Sequence, residues 1–257
     1  MEHSAHPLDR HFNLPHIRQV GTDRPLYWLK LGWADLREHA FASITYGLFF
    51  AVLGYLIVAF AAPRPYLVTV AVSGFFLIGP IAAAGLYEIS RRSAAGRPAG
   101  LGASLRGIVE SRDSLFSIGI FLALMMIAWE RISAILFALT FQGELAEVSG
   151  FLGAVLLSGQ HLGFTFTYLA VGALFAVIVF ALSVVAIPML MDRDVDMVTA
   201  MMTSLRTVAE NPRAMAVWAA TIVILVAIGF ATMMIGLIIL LPLLGHATWH
   251  AYKDLVE

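Results

Sequence analysis

Met215–Tyr252 reads MAVWAATIVILVAIGFATMMIGLIILLPLLGHATWHAY, and no charged residue interrupts it before Lys253. As one helix it would run about 57 Å, nearly twice the roughly 30 Å hydrocarbon core of a bilayer. A run this apolar belongs in a membrane, so it must fold back. The turn is expected near Gly229 to Gly236, giving two short spans whose outer ends lie on the same side.

Composition extends this reading to the whole chain of 257 residues, of which 60% are hydrophobic and 13% charged, against about 25% charged in soluble domains. The formal net charge is −1, so there is no basic stripe for nucleic acid. With no cysteine, disulfides, thiolate catalysis and cysteine-based metal sites are excluded. The first twenty residues, MEHSAHPLDRHFNLPHIRQV, lack the apolar core of a signal peptide, so the first span is expected to direct insertion.

The expected fold is all-α: six transmembrane helices in three hairpin-like units, with amphipathic surface helices on the cytoplasmic side. Residues 1–39 form a polar segment in which Tyr27 to Glu38 places Trp28, Leu31 and Leu36 with Lys30 and Arg37 as an interfacial helix. The membrane domain, 40–257, has spans at about 40–62, 66–89, 115–137, 164–191, 215–232 and 235–252. Residues 143–163 are too short to cross and read as interfacial or re-entrant. Between spans, Val198, Met201, Met202, Leu205, Val208 and Ala209 recur at helical spacing, with Asp194 or Asp196 as cap and Asn211-Pro212 as stop.

Of 16 Lys and Arg, five lie in the N-terminal segment, five in 91–114, three in 192–214 and one at the C-terminus. These 14 are expected on the cytoplasmic side of a bacterial inner membrane, with both termini. An internal repeat supports three units: a shift of 162 superposes Gly74 on Gly236, Pro80 on Pro242 and Tyr87 on Trp249, and a shift of 108 puts Pro80 on Pro188. Ser104-Leu105-Arg106 and Glu110 match Ser204-Leu205-Arg206 and Glu210 at a shift of 100, with Leu36-Arg37 a weaker third copy. All units run in one sense, hence parallel repeats about an axis normal to the membrane.

The phrases IPMLMDRDVDMVTAMMTSLRTVAENPRAMAVWAA and LIILLPLLGHATWHAYKDLV resemble an uncharacterised family of bacterial integral membrane proteins, the domain of unknown function 2189 family. The resemblance extends over most of the chain. It implies a multi-pass membrane protein without an established activity, so no functional residue is carried over. Some members bear the label of cytochrome c oxidase subunits, and a respiratory oxidase enters as a partner from that label alone.

Three groups of residues could carry chemistry. His246 and His250 share one helix face at i, i+4 and could ligate one metal ion or flank a haem edge, or serve as an interfacial belt with Trp249 and Tyr252. If the units surround an axis, Glu88, Asp192 and Asp196 join the two histidines in a ring at its cytoplasmic mouth, or are simply solvated caps. Glu130 and Arg131 fall inside an apparent span, where ionisable residues are functional by default, with His161 as a candidate partner of Glu130; alternatively the span ends at Trp129. His3, His6, His11 and His16 lack ligand spacing. No enzyme motif is present and no cofactor is indicated. The reading is a non-enzymatic accessory or scaffold subunit of a larger membrane complex, packing through small-residue faces such as Gly47 with Gly54 and Ala82, Ala83 and Gly85. The alternatives are a small transporter or channel, and a metal- or haem-binding protein.

Overall fold

A computed structural model describes residues 14–56, 83–141 and 162–257. Among the described residues the chain is all-helical, with one isolated antiparallel bridge between Ile17 and Val256. In chain order the helices are α1 Arg24–Glu38, α2 Ala40–Leu56, α3 over 83–94, α4 Leu101–Glu110, α5 Arg112–Phe141, α6 Leu162–Ser183, α7 Ala186–Asp192, α8 Met197–Glu210, α9 Pro212–Ala231 and α10 Leu237–Leu255.

Three stretches are long and apolar enough to cross a membrane: Arg112–Thr140, Leu162–Asp192 and Pro212–Ala231. A fourth is reached if α1 and α2, bent by 104° at their junction, count as one broken span. Of the expected second span, 66–89, only the end from residue 83 is described. Residues 143–161, read as interfacial or re-entrant, lie outside the described residues, as do Pro80 and His161.

The turn expected between Gly229 and Gly236 falls at 232–236. Its left-handed backbone positions are taken by Met233 (φ 53°) and Met234 (φ 68°) rather than by a glycine, a conformation that side chains with a Cβ seldom adopt. Thr232 anchors the turn: its hydroxyl donates to the helix that ends and accepts the Gly236 N–H at 2.9 Å.

Both described prolines near the inner ends of spans act through the hydrogen bond they remove. Pro188 deprives the Val184 carbonyl of its helical donor, and the fourth span breaks there into α6 and α7. The Val185 N–H is rescued by Ser204 Oγ on α8 at 3.1 Å. Pro242, inside α10, likewise frees the Ile238 carbonyl, and Gly47 of α2 seats its bare Cα against that exposed backbone, where a Cβ would collide with it. Gly54 approaches Met234 and Gly85 approaches Tyr46 in the same way. The small-residue faces read as partner surfaces are thus occupied by the chain's own helices, while Ala82 lies outside the described residues.

The matched serines of α4 and α8 each touch the helix before them, at a spacing of 100 rather than the 108 that superposes Pro80 on Pro188. Ser104 of α4 donates to the Gly85 carbonyl at 2.7 Å, while Ser204 of α8 accepts from the Val185 N–H. Both partners are related by the shift of 100. Leu105 and Leu205 are 50% and 41% exposed beside buried serines. Each of these two helices therefore packs on the helix before it. For α1 the partner is α10: a Cβ at Gly32 would lie 2.6 Å from the Ala247 amide nitrogen. The first surface helix closes on the last helix of the chain.

One expected face is corrected, that of α1, and the buried side of α8 is resolved. On α1, Trp28 and Leu36 are buried in the core, and Leu26, Tyr27 and Trp33 are exposed instead. On α8 the buried residues are Thr199, Ala200, Thr203, Ser204 and Thr207, while Val198 and Leu205 of the apolar stripe face outward. Small hydroxyl residues allow close helix contact, and Met201 and Val208 of the stripe pack against the core beside them. The core lies at one end of the bundle, where Trp28, Trp218, Trp249 and Tyr252 are fully buried and Trp28 meets Trp218 edge-to-face at 5.7 Å.

Candidate functional site

The buried side of α1 repeats through Trp28, Gly32 and Leu36, which brings Asp35 to the edge of the α10 contact. From α10, His246 is fully buried and His250 lies one turn later. Ser43 opens α2 and Ser90 belongs to α3; both are buried. These five side chains form one hydrogen-bonded chain across four helices. His246 Nε2 lies 2.9 Å from Ser43 Oγ and its Nδ1 2.7 Å from Ser90 Oγ. Ser90 Oγ donates to Asp35 Oδ2 at 2.5 Å, and His250 Nε2 lies 2.9 Å from the same oxygen.

Counting donors fixes the direction of the chain. The Ser90 proton goes to Asp35, so Ser90 must accept from His246 Nδ1–H; His246 Nε2 is then an acceptor for the Ser43 hydroxyl. His250 donates from Nε2. Every group has its partner, and the imidazole of His246 serves as a neutral bridge. Burial pushes the Asp35 carboxyl up, but hydrogen bonds from His250 and Ser90 outweigh it and hold the group below the usual carboxylate range.

A second cluster fastens the ends of the chain. Asp254 accepts a fork from Arg24, at 2.8 Å from Nε and 2.6 Å from Nη2, and the Trp28 indole N–H at 2.8 Å. Arg18 reaches the same carboxylate at 3.3 Å. Here too burial raises the carboxyl, and the bonds from Arg24 and Trp28 bring it below its ordinary value of 3.8. Asn211 accepts the Val20 N–H at 2.8 Å and donates to the Arg18 carbonyl, so the N-terminal strand is also tied to α8.

His246 and His250 are thus close together but turned to different partners, Ser43 and Ser90 for one and Asp35 for the other. Among the described residues no group of three or more His, Cys, Asp or Glu side chains is placed to hold a metal ion. Glu88 is fully buried and bonded to Arg91 and Arg92 at 2.7 and 2.8 Å. Asp192 accepts from Tyr252 and Lys253 of α10. Asp196 caps α8, accepting the Thr199 N–H at 3.0 Å. Tyr87, Met191 and Trp249 share one apolar cluster, but the acids near them are spread over separate ion pairs and a cap. Glu130 and Arg131 lie on α5, which runs unbroken past Trp129 to Phe141. Trp129 meets Tyr168 and Phe175 of α6, and Ser133 lies 2.9 Å from the Tyr168 hydroxyl. His16 pairs with Glu257 at 3.3 Å.

Sequence reasoning singled out His246 and His250, with Asp254 continuing their helix face one turn later, but missed Asp35, Ser43 and Ser90. The one local signal was Asp35 itself, an acid seven residues after Trp28 on the same helix face.

No curated protein and no solved structure matches this chain. A family model matches residues 67–192, just short of half the chain, whereas the two phrases that first suggested the family lie mostly after that span. Over residues 67–192 the chain resembles the family described as predicted integral membrane protein DUF2189, as its sequence implied.

Proposed function

We propose that this is a six-span protein of the bacterial inner membrane, with both termini cytoplasmic, acting as a non-enzymatic scaffold or accessory subunit of a larger membrane complex. The observation that carries the reading is the use made of its reactive side chains. Ser43, His246, Ser90, Asp35 and His250 are each committed to a neighbour on another helix. Such a network specifies one arrangement of helices. A serine nucleophile would need an approach for substrate, and Ser43 is fully buried.

The distribution of Lys and Arg supports the orientation. Large apolar side chains on the outer faces of α5, α6 and α9, including Phe116, Phe166, Leu169 and Ile224, are exposed to lipid or to a protein partner. Purification from native membranes in mild detergent tests the proposal by mass spectrometry, absorption spectroscopy and metal analysis on one sample. A protein partner at fixed stoichiometry is expected. A lone protein with a Soret band or bound metal would move the function to His246 and His250, and a lone, empty protein that passes ions in liposomes would make it a transporter.

A further inference from the structure

The three surface helices share an orientation that a water-facing cap would not choose. α1 exposes Leu26 (71%) and Trp33 (44%), α4 exposes Leu105 (50%), and α8 exposes Val198 and Leu205. Their inward sides carry Pro25, Trp28, Gly32 and Leu36 on α1 and small or hydroxylic residues on α4 and α8. The 104° bend after α1 turns that helix across the direction in which α2 enters the membrane. Basic side chains stand among the exposed apolar ones: Lys30 and Arg37 lie on the same outward stripe as Leu26 and Trp33, and Arg106 follows Leu105. Arg106 spends only its Nε, at 3.3 Å, on the Gly102 carbonyl of its own helix. The equivalent Arg206 is bonded to Glu210 at 2.6 Å and is not available in the same way.

We infer that α1 and α4 form an interfacial collar that binds anionic phospholipid headgroups, with Lys30, Arg37 and Arg106 as phosphate ligands and Leu26, Trp33 and Leu105 inserted beside the acyl chains. Apolar residues inserted at the headgroup boundary and flanked by cations are the combination that an anionic bilayer surface recognises. Glu38, the acid at the end of this stripe, is turned to His39 at 3.8 Å.

The test uses the full chain in phosphatidylcholine vesicles containing a trace of spin-labelled phosphatidylglycerol or spin-labelled phosphatidylcholine, comparing the two association constants. The wild type should prefer the anionic probe, and high salt should reduce the preference. Each cation removed should weaken it by about fivefold, the equivalent of one lysine or arginine at a membrane surface. The triple variant Lys30→Gln, Arg37→Gln, Arg106→Gln should lose it, and the charge-preserving Lys30→Arg, Arg37→Lys, Arg106→Lys should keep it. Equal association of both probes with the wild type would overturn the inference. So would an unchanged preference in the triple variant, or loss of a copurifying protein from that variant with lipid preference intact, which would make the face a protein interface.

Discussion

Replacing Asp35 with Ala would leave the Ser90 hydroxyl and the His250 ring N–H without their acceptor, 2.5 and 2.9 Å away. A buried polar group stranded in this way costs about 1–3 kcal/mol. Thermal unfolding in detergent should therefore show Asp35→Ala clearly less stable than wild type, with absorption and metal content unchanged. Asp254 gives the pH dependence. Its folded carboxyl lies below the ordinary 3.8, so its contribution is complete above the unfolded value and is lost as pH falls through the lower folded value. Asp254→Asn should accordingly be destabilised at about pH 7 and should show a shallower loss of stability than wild type between about pH 4 and pH 2. An equally steep acid transition in the variant would show that the clasp to Arg24 does not tune this group.

At the scale of elements, the sequence was most legible where a bilayer sets the length. The α9–α10 turn followed from an apolar run too long for one crossing, and the ends of α8 from Asp196 and Asn211-Pro212. The buried faces were less legible. Trp28 and Trp33 stand five residues apart on α1, and local pattern alone does not say which aromatic enters the core. On α8, periodicity marks an apolar stripe but does not report that threonines and a serine fill the closest contact. The partners of His246 lie 156 and 203 residues away, a separation no local pattern reports. Contacts between elements give a sharp comparison. Gly47→Val should destabilise strongly, by about 3 kcal/mol or more through steric conflict, because the Ile238 backbone occupies the place of its Cβ. Gly163→Ala, which meets nothing within 4 Å, should leave the melting temperature near that of wild type. If the repeat is structural, Ser104→Ala and Ser204→Ala should cost similar amounts, about 1 kcal/mol each.

For the whole molecule, α3, α7 and α10 gather around Tyr87, Met191 and Trp249, and α1 closes against α10. The ends of the chain complete this closure: the Arg18 N–H donates to the Leu255 carbonyl at 2.9 Å, and the Glu257 N–H to the His16 carbonyl at 3.1 Å. Between these bonds Ile17 and Val256 face each other as a non-hydrogen-bonded pair, the arrangement with the closest side chains. Residues 16–18 and 255–257 are thereby joined within one molecule. The chain has no native cysteine, so an Ile17→Cys, Val256→Cys variant can be oxidised in intact native membranes without competing thiols of its own. The account predicts an intramolecular disulfide in nearly all molecules, seen as a reducible mobility change in the monomer. Free thiols after oxidation, or disulfides found only between separate copies, would contradict the closed arrangement on which the scaffold reading depends.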